Sequence, residues 1–333
     1  MTPSTRFPLP VWLDTDIGDD TDDILALALI CASPELELRG VSTVFGATAA
    51  RARLARSFLA AAGKNWAAIP VAAGCGHPFC GASDRFWPNG PARHPRPVQL
   101  PCARPASALP RAGGHGVARL ADELRARRGR IVPIGIGPLT NLATLLRRDP
   151  ALGRVIPRLV LMAGEFRRPA AEWNVLCDPL AAAAVMASGI PIDLIPWSIG
   201  MACTVSSGQL DRLFAVRTRA GRLLARAVRL WQRAKSAPGR MERPHLFDPM
   251  AVAAVLHPEW FEWRRGRVTV SLSARSLART RFAADARGPH RVAWSVRAGA
   301  LRSVWQRILG LGRRPGWDER RVIPHRHCSK VRV

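Results

Sequence analysis

The ten residues Asp14-Thr15-Asp16-Ile17-Gly18-Asp19-Asp20-Thr21-Asp22-Asp23 hold six aspartates and no basic side chain, in a chain whose formal net charge is +26. Carboxylates packed this closely repel one another unless a positive charge sits among them. A hard divalent cation, Ca2+ or Mg2+, is the simplest such partner, because both take oxygen ligands. Helix capping and the helix dipole also favour aspartate at a helix start. They account for one or two of these residues, not six.

The flanking residues say what carries the run. Val11, Trp12 and Leu13 precede it, and Ile24, Leu25, Leu27, Ala28 and Ile30 follow it at helical spacing. The pattern reads as a buried strand, an acidic loop and a buried helix. The same alternation continues along the chain. Strands are predicted near 9–14, 38–45, 69–73, 131–134, 155–162 and 192–195, and helices near 22–32, 48–62, 115–128, 138–146 and 178–187. Such alternation predicts an α/β fold: a doubly wound, mostly parallel open sheet with helices on both faces. Ligands gather at the C-terminal ends of strands in that architecture, which is where the aspartates lie. Residues 74–114 are rich in Pro, Gly, Arg and Cys, and a long irregular segment of this kind is expected to be a flap over a site or disordered. Farther on, 268–270 and 291–294 read as a small C-terminal strand pair and 302–309 as a last helix. The expected organisation is one domain over 8–310 and a basic, disordered tail over 311–333.

With 333 residues and 48% hydrophobic content the chain has ample material for that core. No apolar stretch reaches the ~18 residues of a membrane span, so no membrane partner is expected. The N-terminal residues lack the apolar core of a secretory signal. Seven cysteines are scattered without a Cys-x-x-Cys pair, which fits reduced thiols in a cytoplasmic protein better than disulfides or zinc. The strong positive charge would suit a nucleic-acid partner. However, arginines such as Arg51, Arg53, Arg56 and Arg125 are spread along helices, and no basic motif is interleaved with aromatics. No specific nucleic acid is therefore expected.

Four further segments set polar groups at strand ends or helix starts: Gly137-Pro138-Leu139-Thr140-Asn141, Met162-Ala163-Gly164-Glu165, Glu172-Trp173-Asn174 before Cys177-Asp178-Pro179, and Phe247-Asp248-Pro249. Each is weak alone, since Asp-Pro usually just opens a helix. In this order, with the aspartate run, they resemble the inosine–uridine-preferring nucleoside hydrolase family over about 11–309. The resemblance implies one Ca2+ at the bottom of a pocket at the C-terminal edge of the sheet. It implies hydrolysis of the N-glycosidic bond of small-molecule ribonucleosides to free base and ribose, and assembly as a homodimer or homotetramer. The family's loop reads Asp-Thr-Asp-Pro-Gly-x-Asp-Asp or a form two residues longer. This chain matches the longer form, so its closing pair is Asp22-Asp23. By that match Asp16, Asp23, Asp248 and the carbonyl of Thr140 hold the metal. Asp22, Glu172, Asn174 and Asp248 grip the ribose hydroxyls, and Asp16 also accepts a proton from water. Asp14 buttresses the loop, and no role falls to Asp19 or Asp20.

Three departures from the family pattern stand out. Gly46 is followed by Ala47 where the family carries Asn or Asp. Phe247 stands where a proton-donating His often precedes the metal Asp, which leaves His245, two residues earlier, as the candidate acid. Phe166 stands six residues before Glu172, where the family often supplies Asn. His77, His94 and Trp87 lie in the long irregular segment, the histidines as candidates to touch a base and Trp87 as part of a lid. His115 is expected to cap or pack at a helix start, His257 to sit in a loop, and Trp173 and Trp197 to stack on a base or pack in the core. Two rival readings keep parts of the pattern. One is a nucleoside- or ribose-binding protein of the same fold with weakened catalysis. The other is a phosphatase built on Asp14 and Asp16, which leaves the segments at 137–141 and 172–174 unexplained.

Overall fold

Two-residue alternation lets one strand serve two cores. In the computed structural model, which describes residues 8–79, 97–109, 114–237, 241–311 and 330–331, strand β1 (Leu9–Thr15) sends Val11 and Leu13 to one side and Trp12 to the other. The chain then runs through helix α1 (Asp22–Cys31), β2 (Leu36–Thr43), α2 (Thr48–Ala62), a short α3 (Lys64–Ala67), β3 (Val71–Ala73) and α4 (Gly116–Ala126). It continues through β4 (Val132–Gly135), α5 (Thr140–Arg148), β5 (Leu159–Met162), α6 (Trp173–Cys177), α7 (Pro179–Met186) and β6 (Ile192–Ile195). Four helices follow, α8 (Trp197–Met201), α9 (Ser207–Phe214), α10 (Arg219–Lys235) and α11 (Phe247–Leu256). The last elements are β7 (Phe261–Val270), β8 (Thr280–Ala284), β9 (His290–Arg297), α12 (Ala300–Gly310) and β10 (Lys330–Val331).

The sheet runs in the order β3-β2-β1-β4-β5-β6-β9-β7-β8. Strands β1 to β6 pair in parallel, winding outward from β1 in both directions. The winding reverses between β1 and β4, and the loops that leave these two strands therefore open a crevice at their C-terminal ends. One face carries Ile24, Leu25, Phe58 and Val252 from α1, α2 and α11, and the other carries Leu120, Leu142 and Val185 from α4, α5 and α7. All ten residues of α1 are buried, because the helix lies against the sheet on one side and α11 on another. Its apolar-all-round sequence is what such a position requires.

The doubly wound architecture expected from the sequence is observed, with three adjustments. The β5 strand begins at Leu159 rather than 155, since residues Pro150–Arg154 form a 3-10 turn and Pro157 cannot donate a ladder hydrogen bond. The C-terminal strands do not form a sheet of their own. Strand β9 joins β6 in parallel, and β7 and β8 extend the same sheet antiparallel. Their partly apolar strands gain a buried face only by docking on the main sheet. Of the basic tail, Lys330–Val331 pair antiparallel with the end of β9, and 312–329 lie outside the described residues.

Candidate active site

Helices α1 and α11 pack side by side, and this brings their first turns together at the crevice. Asp22 and Asp23 open α1, and Asp248 lies in the first turn of α11. One carboxylate oxygen from each lies within 4.8 Å of the other two, and all three residues are buried. Two positive helix ends favour the acids there, but cannot neutralise them all. Asp16 lines the same cavity, of about 320 Å3, with Asp22, Asp23 and Asp248. Gly137, in the turn after β4, allows this. A Cβ there would come within 2.8 Å of the Asp16 Oδ1, so the close approach needs glycine.

Burial disfavours the charged form of these acids. It pushes Asp16 up to about 6, and raises Asp22, Asp23 and Asp248 well above the usual carboxylate range, with their mutual repulsion adding to it. Asp23 accepts a hydrogen bond from Thr15 Oγ1 at 2.5 Å. Asp14 faces into the sheet instead: its Oδ1 accepts from Ser42 Oγ at 2.5 Å and Asn141 Nδ2 at 2.7 Å. Burial lifts its carboxyl to about 7, and its Oδ2 has no partner among the described residues. The Asn141 Oδ1 accepts from the Cys75 backbone at 2.8 Å. Asp14 and Asn141 thus tie β1, β2, the start of α5 and the segment after β3 together.

The remaining polar wall comes from α6. Glu172 caps this helix, accepting from the backbone of Asn174 at 2.8 Å, Gly164 at 3.1 Å and Val175 at 3.2 Å. Burial nevertheless raises its carboxyl to about 7. Asn174 spends its amide hydrogens on the carbonyls of Ile136 at 3.1 Å and Met162 at 3.0 Å, which fixes its Oδ1 as the free acceptor. Both Glu172 and Asn174 line the cavity. One cavity at the switch point thus gathers Asp16, Asp22, Asp23, Asp248, Glu172 and Asn174.

A family model described as inosine-uridine preferring nucleoside hydrolase matches residues 11–303. This chain belongs to that family. It is 32% identical over 271 residues to an uncharacterized protein of Schizosaccharomyces pombe, covering 79% of this chain and 84% of the relative. It is 30% identical to the pyrimidine-specific ribonucleoside hydrolase RihA of an Enterobacter species, covering 76% and 80%. A plant nucleoside hydrolase structure superposes with a TM-score of 0.76 at 23% identity, covering 91% of this chain and 99% of that one, which shows the shared fold.

In this nucleoside hydrolase two expected residues do not reach the cavity. Thr140 is not among the described lining residues, and its hydroxyl donates to Asp178 Oδ2 at 2.7 Å. The turn at Gly137 carries the chain past the strand end before α5 begins. Ile136, four residues earlier, is the residue of this segment that lines the cavity. His245 is also outside the lining. Its Nδ1 lies 3.0 Å from Thr204 Oγ1, and a bridge between the Thr204 and His245 backbones fixes its direction. Phe247 lines the cavity instead, pressed so closely on Gly200 of α8 that a Cβ there would lie 2.0 Å from its ring.

The other departures are equally plain. Ala47 precedes α2 without a side-chain cap and is not among the lining residues. Phe166 packs on Phe282, with ring centroids 6.4 Å apart. His77 is exposed, and His94 and Trp87 lie outside the described residues. His115 caps α4, accepting from the Val117 backbone at 3.3 Å. Asp178 is structural: it caps α7 and accepts from the Phe79 backbone at 2.7 Å.

Two residues that matter were not picked out by sequence reasoning. Arg51, read there as one of many helix-surface arginines, is only 2% exposed. Its Nε donates to the carbonyl of Phe45 at 2.8 Å, its Nη1 to the carbonyls of Asp16 and Ile17, and its Nη2 to Asp19 at 2.6 Å. Phe45 holds a left-handed backbone, φ 70°, to present that carbonyl. The two-residue extension of the aspartate loop thus has a physical account: Asp19 is pinned by an internal cation. The available signal was an extra acid that needed a partner. The second residue is Lys235, which lines the cavity from the end of α10. Buried positions at Leu224, Ala227, Val228 and Trp231 give α10 a helical stripe that was legible in the sequence.

Proposed function

We propose that this chain is a Ca2+-dependent hydrolase that cleaves ribonucleosides to free base and ribose. The observation that carries this reading is the convergence of Asp22, Asp23 and Asp248 beside Asp16 in a buried cavity. Buried carboxylates without enough positive charge are strongly disfavoured, and an all-oxygen donor set suits a hard cation. The residues present therefore fit the ion. Asp16, Asp23 and Asp248 would hold it, and the carbonyl of Ile136 replaces that of Thr140 as the backbone candidate. When bound, Ca2+ offsets the repulsion between these acids and makes a neighbouring water easier to deprotonate.

The chain's own groups do the rest. Asp16 accepts the proton of the attacking water. Asp22, Asp248, Glu172 and the free Asn174 Oδ1 are acceptors for the ribose hydroxyls. The negative charge of the carboxylates stabilises the oxocarbenium-like sugar that forms as the glycosidic bond stretches. Trp173, Trp197 and Phe247 form aromatic walls suited to a planar base.

The testing experiment is a reducing-sugar assay across ribonucleosides and their 2′-deoxy partners, with and without chelator. Cleavage that chelator abolishes and added Ca2+ restores is expected. The deoxy partners should be poorer by ~10^4, because a missing hydroxyl leaves buried acceptors unpaired. Chelator-resistant cleavage, or equal turnover of the two sugars, overturns the assignment. Phe247 in the cavity wall, where a proton donor is expected, favours a second reading, a nucleoside-binding protein with feeble turnover, which predicts binding of ribonucleosides without release of sugar.

A further inference from the structure

Breaking a C–N bond to a nucleobase leaves an electron pair on the base, and departure is easier when a proton meets it. Phe247 cannot supply one, and His245 is engaged by Thr204 outside the cavity lining. Among the described residues that line the cavity, Lys235 is the one basic side chain. It shares that lining with Trp173, Trp197 and Phe247, the aromatic walls a base would enter between.

The backbone that carries Lys235 is fixed by its neighbours. It lies in the last turn of α10, which is tied to the segment leading into Phe247. Gln232 Nε2 donates to the carbonyl of Glu242 at 2.9 Å, and the Glu242 backbone donates to Ser236 Oγ at 2.9 Å. These bonds flank Lys235 on both sides. Lys235 is exposed at the cavity mouth, where its charge lies near enough to Asp20 to oppose the rise that burial imposes on that carboxyl.

We propose that Lys235 is a further catalytic residue, whose ammonium hydrogen-bonds the leaving base and gives it a proton as the glycosidic bond breaks. This rests on the N-riboside hydrolase reading above. The electron pair of the C1′–N bond stays with the base, which takes a proton from Nζ. The water oxygen bonds to C1′ and loses a proton to Asp16. Return of that proton through solvent from Asp16 to Nζ restores both groups, so nucleoside plus water gives base plus ribose.

The test compares inosine and uridine with p-nitrophenyl riboside, whose leaving group needs little protonation, on parent, Lys235→Met and Lys235→Arg holoenzymes. Lys235→Met should lower kcat on the natural nucleosides by ~10^2 and on the activated riboside by less than about threefold. Lys235→Arg keeps the charge but holds its proton at neutral pH. It should keep a parent-like KM and lose kcat as the Met variant does. Equal losses on both substrate classes, no loss on nucleosides, or full activity of the Arg variant overturns the proposal while leaving the hydrolase reading intact. Failure of the parent to cleave even the activated riboside overturns the hydrolase reading, and this proposal with it.

Discussion

The floor and the rim of the cavity are built in opposite ways. The floor is over-determined: Asp14 is held by Ser42 and Asn141, Asp23 by Thr15, and the loop between them by Arg51 and Asp19. Its acids come from one strand end, that of β1, and two helix starts that the sheet and the α1–α11 contact force together. The rim is assembled from single side chains on separate short elements. Trp173 is 49% exposed, Trp197 is overlain by the guanidinium of Arg168 at 5.5 Å, and Lys235 projects from a helix end. A floor of this kind tolerates little substitution, whereas a rim can change base by base without disturbing it. This accounts for a chain that keeps its aspartates yet departs from the family pattern at Phe247.

The comparison breaks first at Asp16. Asp16→Asn should lower kcat by ~10^2 to 10^4 on every riboside alike, activated or not, because it removes the acceptor of the water proton. A loss confined to particular bases would place Asp16 with the rim. Steady-state kinetics on a purine, a pyrimidine and p-nitrophenyl riboside separate the outcomes.

Acidity gives the next test. Asp14 and Glu172 rise to about 7 and Asp16 to about 6, from unfolded values of 3.8, 4.5 and 3.8. Groups raised on folding bind extra protons in the native state, so their contribution to stability is present below about pH 4 and lost as pH climbs to about 7. At Asp16, which faces the cavity, a cation takes over the role of the proton. The rise in Tm on adding Ca2+ should therefore grow from about pH 5 to about pH 8. At a hundredfold excess over Kd it corresponds to ~2.7 kcal/mol. A rise that shrinks with pH would show that Asp16 does not face the ion.

Support of the floor is tested at Asp19, which lines the cavity beside Asp16 without belonging to the expected ligand set and is held by Arg51. Asp19→Ala should weaken Ca2+ affinity by ~10-fold to 100-fold, as loss of an outer partner does at other metal sites, while circular dichroism stays unchanged. Unchanged affinity by calorimetric titration would reduce the strap to a stabilising contact. The smallest effect is expected at the rim. Trp173→Ala should raise KM about fivefold, the lower end of what base–aromatic stacking contributes, with kcat and Ca2+ affinity untouched. Loss of Ca2+ affinity in that variant would merge rim and floor.

Much of this molecule was legible in one dimension. Alternating apolar periods and turn residues are local properties, so β1 to β6 and the helices α1, α2, α4, α5 and α7 were foreseen, whereas the start of β5 and the helices α3, α6 and α8 to α10 were not. The aspartate run pointed to a candidate cation site because crowded carboxylates repel one another unless a positive charge sits among them. The doubly wound order then placed that run at the switch point. What sequence alone could not decide was direction. Whether Ile136 or Thr140 meets the cavity depends on how sharply the chain turns at Gly137, and whether His245 or Phe247 faces inward depends on a bridge to Thr204, 41 residues away in the chain. Arg51 looked like any helix arginine until the loop of Asp19 folded over it. Lys235 became a site residue only because α10 ends beside an acid loop more than two hundred residues upstream. Composition and period fix which elements form and which faces they bury, because those follow from neighbours in the chain. The inward aim of a particular polar group follows from contacts that exist only once the elements have packed.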